Sequence, residues 1–269
     1  MKQLEHATIQ SHNPICPNTY VMVLKAPQIA THAKPGQFVM VHLNDGELLL
    51  PRPISLCDID RINGIITLIY ATAGAGTQVM SRWQAGRTVP ILGPLGNGFD
   101  TDSLPKNTDE TVALVGGGVG APPLLFLYKR LTQAGIKADV YLGFKGTDPL
   151  ADYFKPFMPS LSIATNDGSM GYKGTVIDLL KTASAGAIFS CGPMPMLKAL
   201  AAYANATGIP CQISVEERMA CGLGACKGCV VKTLVGYQLC CLNGPVFDSS
   251  LIAAQEDAPL PGNASREVI

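Results

Sequence analysis

Four cysteines near the C-terminus follow a spacing that requires a tightly curled loop. Cys221, Cys226, Cys229 and Cys241 read C-x4-C-x2-C, then eleven residues, then C. This is the plant-type ligand spacing of a [2Fe–2S] cluster. Glycines between the first three cysteines let the backbone turn sharply and bring N–H groups close to the sulfur atoms. The spacing therefore predicts an iron–sulfur loop in a protein that moves single electrons.

Other interpretations of these cysteines stay open at the level of the sequence. Zinc sites also use C-x2-C pairs, although this chain has no second such pair, and the cysteines could bind no metal. Cys240 competes with its neighbour Cys241 as the fourth ligand. The other cysteines are scattered, as expected for reduced thiols of a cytoplasmic protein. They are Cys16, Cys57, Cys191, Cys211 and Cys240.

Composition places the chain among globular proteins and excludes two classes of partner. Its 269 residues suffice for two domains and a small appendix, and they are 47% hydrophobic and 15% charged. A net charge of zero argues against binding to nucleic acid or anionic membranes.

Met1–Pro17 lacks the apolar run of a secretory signal. Thr111–Tyr128 is uncharged, but its glycines and Pro122-Pro123 predict a strand, a turn and a helix start, not a membrane span.

The first hundred residues have the pattern of an antiparallel β-barrel. Short runs rich in valine, isoleucine and aromatic residues, such as Tyr20–Leu24, Phe38–Leu43 and Ile65–Tyr70, are separated by turn residues. Several short strands at this spacing predict a small all-β barrel over residues 1–103. The polar stretch Thr101–Glu110 is the predicted linker to the next domain.

From Thr111 onward, apolar strands alternate with helices. The predicted strands are Val112–Val115, Ala138–Leu142, Leu161–Ala164 and Ala187–Ser190, and helices begin at Ala121, Thr175 and Met194. This alternation predicts a doubly wound α/β domain with a parallel sheet over residues 108–208. A further strand, Cys211–Val215, leads into the cysteine loop, so residues 209–269 form the predicted cluster-binding segment.

Two turns in the α/β part are suited to a nucleotide. Gly116–Pro123 follows a strand and opens a helix, so that Gly118 and Gly120 would let phosphates approach the backbone, although G-x-G-x-x-P is not the usual fingerprint. Cys191 and Gly192 end another strand, where a small thiol could contact a nicotinamide ring. A ligand-free turn and a buried cysteine are the alternatives. Neither an acid nor an arginine follows the second strand at Phe144-Lys145-Gly146, so the residues leave NAD and NADP open.

Three motifs in the barrel part have the chemistry to hold a flavin. Arg52-Pro53-Ile54-Ser55 offers a guanidinium fork for a phosphate and a hydroxyl that could reach a flavin edge. Ile69-Tyr70-Ala71 ends a strand, and Gly76-Thr77 lies where a helix begins. Taken singly, each of these is an ordinary turn.

The order of the motifs along the chain is more specific than any one of them. R-P-x-S, G-x-G-T, G-P-L-G-N-G-F, G-G-G-V-G-x-P-P, C-G-P-x-x-M, E-R-M-x-C-G-x-G-x-C-x-x-C and C-x-x-G-P-V-F follow one another over nearly the whole chain. The series resembles the electron-transfer subunits of NAD-dependent (class 1B) dihydroorotate dehydrogenases, in the ferredoxin reductase-like superfamily. Asp167–Gly174 and Cys241–Phe247 are the most specific stretches.

The resemblance implies FAD in the barrel, NAD at the sheet and a [2Fe–2S] cluster in the C-terminal segment. The implied FAD contacts are Arg52, Pro53, Ile54, Ser55, Ile69, Tyr70, Ala71, Gly76 and Thr77. The implied cluster ligands are Cys221, Cys226, Cys229 and Cys241, because the alignment with G-P-V-F favours Cys241 over Cys240. Two residues depart from the pattern. Ala71 stands where arginine is usual, and Ile54 stands where the superfamily often has an aromatic residue.

The three redox groups together imply a partner protein. Nicotinamide exchanges two electrons as a hydride, a [2Fe–2S] cluster accepts one, and a flavin can do both. By resemblance, the partner is an FMN-containing catalytic subunit that oxidises dihydroorotate in pyrimidine biosynthesis, in a heterotetramer with two copies of each subunit. Electrons would pass from FMN through the cluster and FAD to NAD⁺, without a catalytic acid or base in this chain. The rivals are a related subunit of a ferredoxin:NADP oxidoreductase or hydrogenase, and a redox sensor without turnover.

Overall fold

Six antiparallel strands form a closed barrel in the N-terminal part of the computed structural model, which describes residues 2–43, 46, 48–104 and 110–252. The strands are β1 (Gln3–Cys16), β2 (Thr19–Lys25), β3 (Phe38–Val41), β4 (Arg52–Asp60), β5 (Ile65–Ala71) and β6 (Thr88–Leu95). They pair in the order β1-β2-β5-β4-β3-β6, and β6 pairs back with β1. Closure leaves no open sheet edge, and alternate residues such as Met22, Leu24 and Leu68 fill the interior. Two short helices, α1 (Pro27–His32) and α2 (Ala75–Met80), lie in the connections.

The second part is a seven-stranded sheet with helices between its parallel strands. Its elements are β7 (Val112–Gly117), α3 (Pro122–Gln133), β8 (Ala138–Phe144), α4 (Pro149–Phe154), β9 (Leu161–Thr165), β10 (Tyr172–Lys173), α5 (Val176–Leu180), β11 (Ala187–Cys191), α6 (Met194–Thr207) and β12 (Cys211–Ser214). The order is β10-β9-β8-β7-β11-β12, followed by one C-terminal strand. The winding reverses between β7 and β11, and in such sheets ligands bind beyond the carboxyl ends of the strands at this point.

The cysteine loop leaves the sheet after β12 and returns to it. It is followed by β13 (Val230–Thr233), β14 (Gly236–Leu239), α7 (Cys240–Asn243) and β15 (Val246–Asp248). The hairpin β13–β14 stands apart, whereas β15 pairs antiparallel with β12. The loop is therefore held at both ends by neighbouring strands of one sheet.

The cysteine loop also packs against the barrel. One hydrophobic core contains Phe38, Met40 and Leu95 of the barrel together with Cys229 and Cys241. A Cβ built on Gly222 would lie 2.6 Å from Cγ of Met40, so the loop backbone lies directly on β3. This contact places the cysteines between the barrel and the sheet.

The predicted fold class is confirmed: a β-barrel, a doubly wound α/β domain and a C-terminal cysteine segment. The short elements α4, β10, β13, β14 and β15 were not predicted. The exact domain limits stay predictions, and residue 108, part of the linker Thr101–Glu110 and the chain beyond residue 252 lie outside the described ranges. Within those ranges, no helix is both long enough and apolar enough to cross a membrane.

Candidate functional site

Cys221 lies in a loop whose backbone N–H groups point at its sulfur. The N–H groups of Leu223 and Cys226 donate to Cys221 Sγ at 3.3 and 3.4 Å. Gly222 and Gly224 have φ values of 68° and 86°, in the left-handed region that favours glycine, and these turns direct the N–H groups inward. The hydrogen bonds, that from Cys226 first, lower the pKa of Cys221 to about 6. The loop thus favours the thiolate, which is the form that binds metal.

The buried cysteines form a second pair. Cys229 Sγ and Cys241 Sγ are 3.3 Å apart, and the Cys241 N–H donates to Cys229 Sγ at 3.4 Å. Burial raises the pKa of Cys241 to about 12. Cys221 and Cys226 form the more exposed pair. Two pairs of sulfur atoms fit a cluster of two irons that each take two cysteines. Among the described residues, no three histidine, cysteine or acidic side chains converge as around one metal ion.

Cys240 differs from Cys241 in the direction of its thiol. Its Sγ donates to the Val215 carbonyl at 3.2 Å, and the residue is completely buried. The Cys240 sulfur is therefore engaged by the main chain, whereas the Cys241 sulfur faces Cys229. Cys241 stays the predicted fourth ligand.

Arg52 and Gly76, which are separated in sequence, meet where α2 begins. A Cβ built on Gly76 would lie 2.1 Å from Nε of Arg52, so the guanidinium lies against the backbone where α2 begins. Arg52 Nη1 also donates to the Leu50 carbonyl at 2.6 Å, which fixes the side chain. The absence of a side chain at Gly76 leaves the room that the guanidinium occupies, so the cation is held at the start of α2. The pair fits the phosphate end of FAD.

The other predicted FAD residues lie on the same strands and turn, but several of their side chains are engaged elsewhere. Pro53, Ile54 and Ser55 are half-buried on β4, and Ala71 is half-buried at the end of β5. The Thr77 hydroxyl accepts the N–H groups of Ala73 and Gly74 at 2.9 and 3.2 Å. It therefore organises the start of α2 and has little capacity left for a ligand.

Tyr70 and Ile69 are buried, which sequence reasoning did not anticipate. The Tyr70 ring lies in the barrel core, and burial raises the pKa of its phenol. His12 Nδ1 donates to the Trp83 carbonyl at 2.9 Å, so in the neutral ring Nε2 accepts the Tyr70 hydroxyl at 2.8 Å. Any flavin contact of Tyr70 would therefore use its main chain. No motif marks His12, which lies 58 residues from Tyr70.

The predicted NAD residues come together at the reversal of the sheet. Cys191 at the end of β11 pairs in register with Gly116 at the end of β7. A Cβ on Gly120 would lie 2.5 Å from the Gly192 Cα, so the two glycine turns touch. Gly118 has a φ of 51° and open space above its Cα, which leaves room for a ligand.

The Cys191 thiol is held neutral at this edge. Cys191 is completely buried, and burial, with a further contribution from Glu216, raises its pKa. Glu216 follows β12 and was not singled out in the sequence; it keeps an exposed surface, and desolvation by the surrounding protein raises its pKa. A neutral thiol is a poor nucleophile, so Cys191 would not attack a bound nicotinamide.

The barrel, the doubly wound sheet and the four-cysteine loop define a flavin-dependent electron-transfer protein of the ferredoxin reductase-like type. Residues 216–253 match the family model of the iron–sulfur cluster binding domain of dihydroorotate dehydrogenase B. The chain is 41% identical over 259 residues to the dihydroorotate dehydrogenase B (NAD(+)) electron transfer subunit of Fusobacterium nucleatum, covering 92% of this chain and 98% of that one. The protein of the same name from Geobacillus kaustophilus is 41% identical over 252 residues, at 90% and 96% coverage. The chain therefore belongs to the family of dihydroorotate dehydrogenase B (NAD(+)) electron transfer subunits.

Solved structures show the same architecture. A chain of the NADH-dependent reduced ferredoxin-NADP oxidoreductase superposes with a TM-score of 0.82 at 28% identity, covering 93% of this chain and 90% of that one. A ferredoxin NADP⁺ reductase from Neisseria gonorrhoeae, with bound FAD and NADP, shares the fold at a TM-score of 0.63 and 14% identity, covering 77% and 91%. The chain is an oxidoreductase subunit that uses FAD, a [2Fe–2S] cluster and NAD(H) and serves a catalytic partner subunit.

Proposed function

We propose that this chain passes electrons from an FMN-containing subunit, which oxidises dihydroorotate to orotate, through the cluster and FAD to NAD⁺. The reaction belongs to the de novo synthesis of UMP. The observation that carries the proposal is the packing of the cysteine loop on the barrel, where Gly222 lies on β3 next to the strand that bears Arg52. This arrangement brings a one-electron site and a flavin site into one core, as electron transfer requires.

The cluster is assigned to Cys221, Cys226, Cys229 and Cys241 in the segment 209–269. When bound, it supplies one-electron transfer. The N–H groups of Leu223 and Cys226 then stabilise the charge on the Cys221 sulfur. The contacts of Cys229 and Cys241 with the barrel core exclude water from one side of the site.

FAD is assigned to the barrel, residues 1–103. Arg52, seated against Gly76, would bind a phosphate of FAD, and Ser55 offers its hydroxyl. When bound, FAD converts between hydride and single electrons. Pro53, Ile54, Ile69, Tyr70, Ala71 and Thr77 complete the assigned contacts, with Tyr70 and Thr77 acting through their main chains.

NAD is assigned to the sheet, residues 108–208. The turn at Gly118 and Gly120 admits the pyrophosphate to the backbone, while Cys191 and Gly192 lie against the nicotinamide end. The Cys191 thiol is neutral and would not react with the ring. Hydride transfer between two rings needs no acid or base from the protein, and none is assigned.

The partner docks over the cysteine loop, in a heterotetramer with two copies of each subunit in the cytoplasm. Leu223 and Leu242 are 45% and 48% exposed there, and Cys226 is also exposed. These residues give the one-electron site an apolar outer face that a second protein can cover.

The test is reconstitution with a candidate FMN subunit. The two proteins are co-purified, their FAD, FMN and iron contents are measured, and NAD⁺ reduction by dihydroorotate is followed at the absorbance of NADH. Turnover that needs both subunits is the expected result, and its absence from a fully loaded complex would overturn the assignment. The rival assignment, suggested by the 28% identical neighbour, instead predicts that this chain takes part in electron transfer between reduced ferredoxin and NADP without an FMN subunit.

A further inference from the structure

The end of β8 lacks the acid that dinucleotide-binding sheets place there. In such folds an aspartate or glutamate after the second strand binds the adenosine ribose of NAD, whereas an arginine nearby accepts the 2′-phosphate of NADP. The second strand here is β8, and it is followed by Lys145, Gly146 and Thr147. The next acid, Asp148, accepts the Leu150 N–H at 2.9 Å as the N-cap of α4, so its carboxylate is already engaged at the start of that helix.

A carboxylate from the next strand occupies this place. β8 and β9 are parallel, with Phe144 in register with Thr165, so their carboxyl ends meet at one edge. Asp167 follows β9, and a Cβ built on Gly146 would lie 2.8 Å from Asp167 Oδ2. The Asp167 carboxylate thus lies directly over the backbone that follows β8. Only a glycine at position 146 leaves room for the Asp167 carboxylate there.

The Asp167 carboxylate is fixed and charged. Its Oδ1 accepts the N–H of Ser169 at 2.9 Å and the Ser169 hydroxyl at 2.7 Å. These bonds lower the pKa of Asp167, so the group stays ionised at neutral pH. Oδ2 faces Gly146, and the residue is exposed to solvent, where a ligand can reach it.

We propose that Asp167 selects NAD over NADP. The carboxylate accepts hydrogen bonds from the hydroxyls of the adenosine ribose and repels a phosphate on the 2′ oxygen. The inference rests on the proposed NAD site at Gly118, Gly120 and Cys191, because the same edge of the sheet carries both. It also gives a role to the Asp167–Gly174 stretch, which the electron path leaves without one.

Two lysines near Asp167 should increase the affinity for a 2′-phosphate when the Asp167 charge is removed. Lys145 is exposed at the end of β8, and the side chain of Lys173 packs 3.0 Å from the position of a Cβ on Gly168. With the carboxylate in place, its charge opposes theirs. Once the Asp167 charge is removed, the two ammonium groups attract a 2′-phosphate.

The test uses redox-inert fragments and the purified holoprotein. Binding of ADP-ribose and of 2′-phospho-ADP-ribose is measured by calorimetry for the wild type, Asp167→Asn and the control Asp152→Asn. Asparagine keeps the size of the side chain and can still accept the Ser169 bonds. Asp152 is also an exposed acid, on α4, and is paired with Lys155 at 2.6 Å. Unchanged flavin and cluster spectra show that each variant is folded.

Asp167→Asn is expected to shift the ratio of the two affinities about tenfold towards the phosphorylated fragment. Asp152→Asn is expected to keep the wild-type ratio. If Asp167→Asn and a second variant, Asp167→Ser, both keep that ratio while the wild type binds ADP-ribose, the role of Asp167 is refuted and the NAD site stands. If the wild-type protein binds neither ADP-ribose nor NAD⁺, the NAD site itself is refuted, and this inference with it.

Discussion

At the scale of single residues, the site depends on how closely atoms approach one another. Arg52 lies against Gly76 and Cys241 faces Cys229, but the sequence shows only that each residue type is present. The motifs predicted which turns carry chemistry. Which atom of each turn is available, as at Thr77 and Tyr70, follows from contacts made elsewhere in the chain.

Gly76→Ala is expected to weaken FAD binding by about tenfold or more, because the new methyl group would displace the Arg52 guanidinium from its place. The measurement is a titration of the flavin-free protein with FAD, followed by flavin fluorescence. Gly74→Ala is the matched control, since its Cβ would meet nothing within 4 Å and its backbone is extended. Equal losses in the two variants would refute the role of Gly76 in seating Arg52.

Cys241→Ser is expected to abolish the cluster, whereas Cys240→Ser keeps it. The Cys241 sulfur lies 3.3 Å from that of Cys229, while the Cys240 thiol donates to a carbonyl, a bond that a serine hydroxyl can also make. Iron content and the paramagnetic signal after reduction are measured on anaerobically purified protein. A Cys240→Ser protein without iron, beside an iron-loaded Cys241→Ser protein, would reverse the ligand assignment.

At the scale of elements, apolar runs predicted the central strands well and the short elements poorly. Val112–Val115 and Ala187–Phe189 are buried on both faces, so their sequences are continuously apolar. The buried Ser190 hydroxyl donates to the Val115 carbonyl at 2.8 Å. β15 has three residues and owes its place to pairing with β12, which no local pattern encodes. The position of Asp167 over Gly146 was invisible for the same reason, because sheet register creates it.

The turn before α2 depends on one hydroxyl. Thr77 Oγ1 accepts from Ala73 and Gly74 and donates to the Gly74 carbonyl at 3.1 Å. Thr77→Val keeps the shape of the side chain and is expected to lower the free energy of unfolding by about 1 kcal/mol. Urea denaturation checks it, with Thr72→Val as the control, since the Thr72 hydroxyl makes a single 3.3 Å bond. A larger loss in the control would contradict the assigned role of Thr77.

At the scale of the whole molecule, the barrel connects the two ends of the proposed electron path, which are the cysteine loop and the nucleotide-binding edge of the sheet. The contact of Gly222 with Met40 links it to the one-electron site, and the core around Ile69 and Cys191 links it to the nucleotide edge. The two ends of the path therefore share the flavin domain but no cofactor ligands. A substitution that damages one end should leave electron transfer at the other end intact.

Removal of the cluster tests this division. In Cys241→Ser, the residues at Arg52, Gly76 and Cys191 keep their contacts, so NADH should still reduce the bound flavin and support transfer to a small dye at close to the wild-type rate. Dihydroorotate-driven NAD⁺ reduction with the FMN subunit should fall to background, because the cysteine loop that faces the partner has lost its one-electron carrier. Stopped-flow absorbance of the flavin measures the first reaction, and NADH formation measures the second.

Gly76→Ala, which acts on the shared flavin domain, should impair both reactions. A cluster-free protein that still couples dihydroorotate to NAD⁺ would show that electrons bypass the cysteine loop.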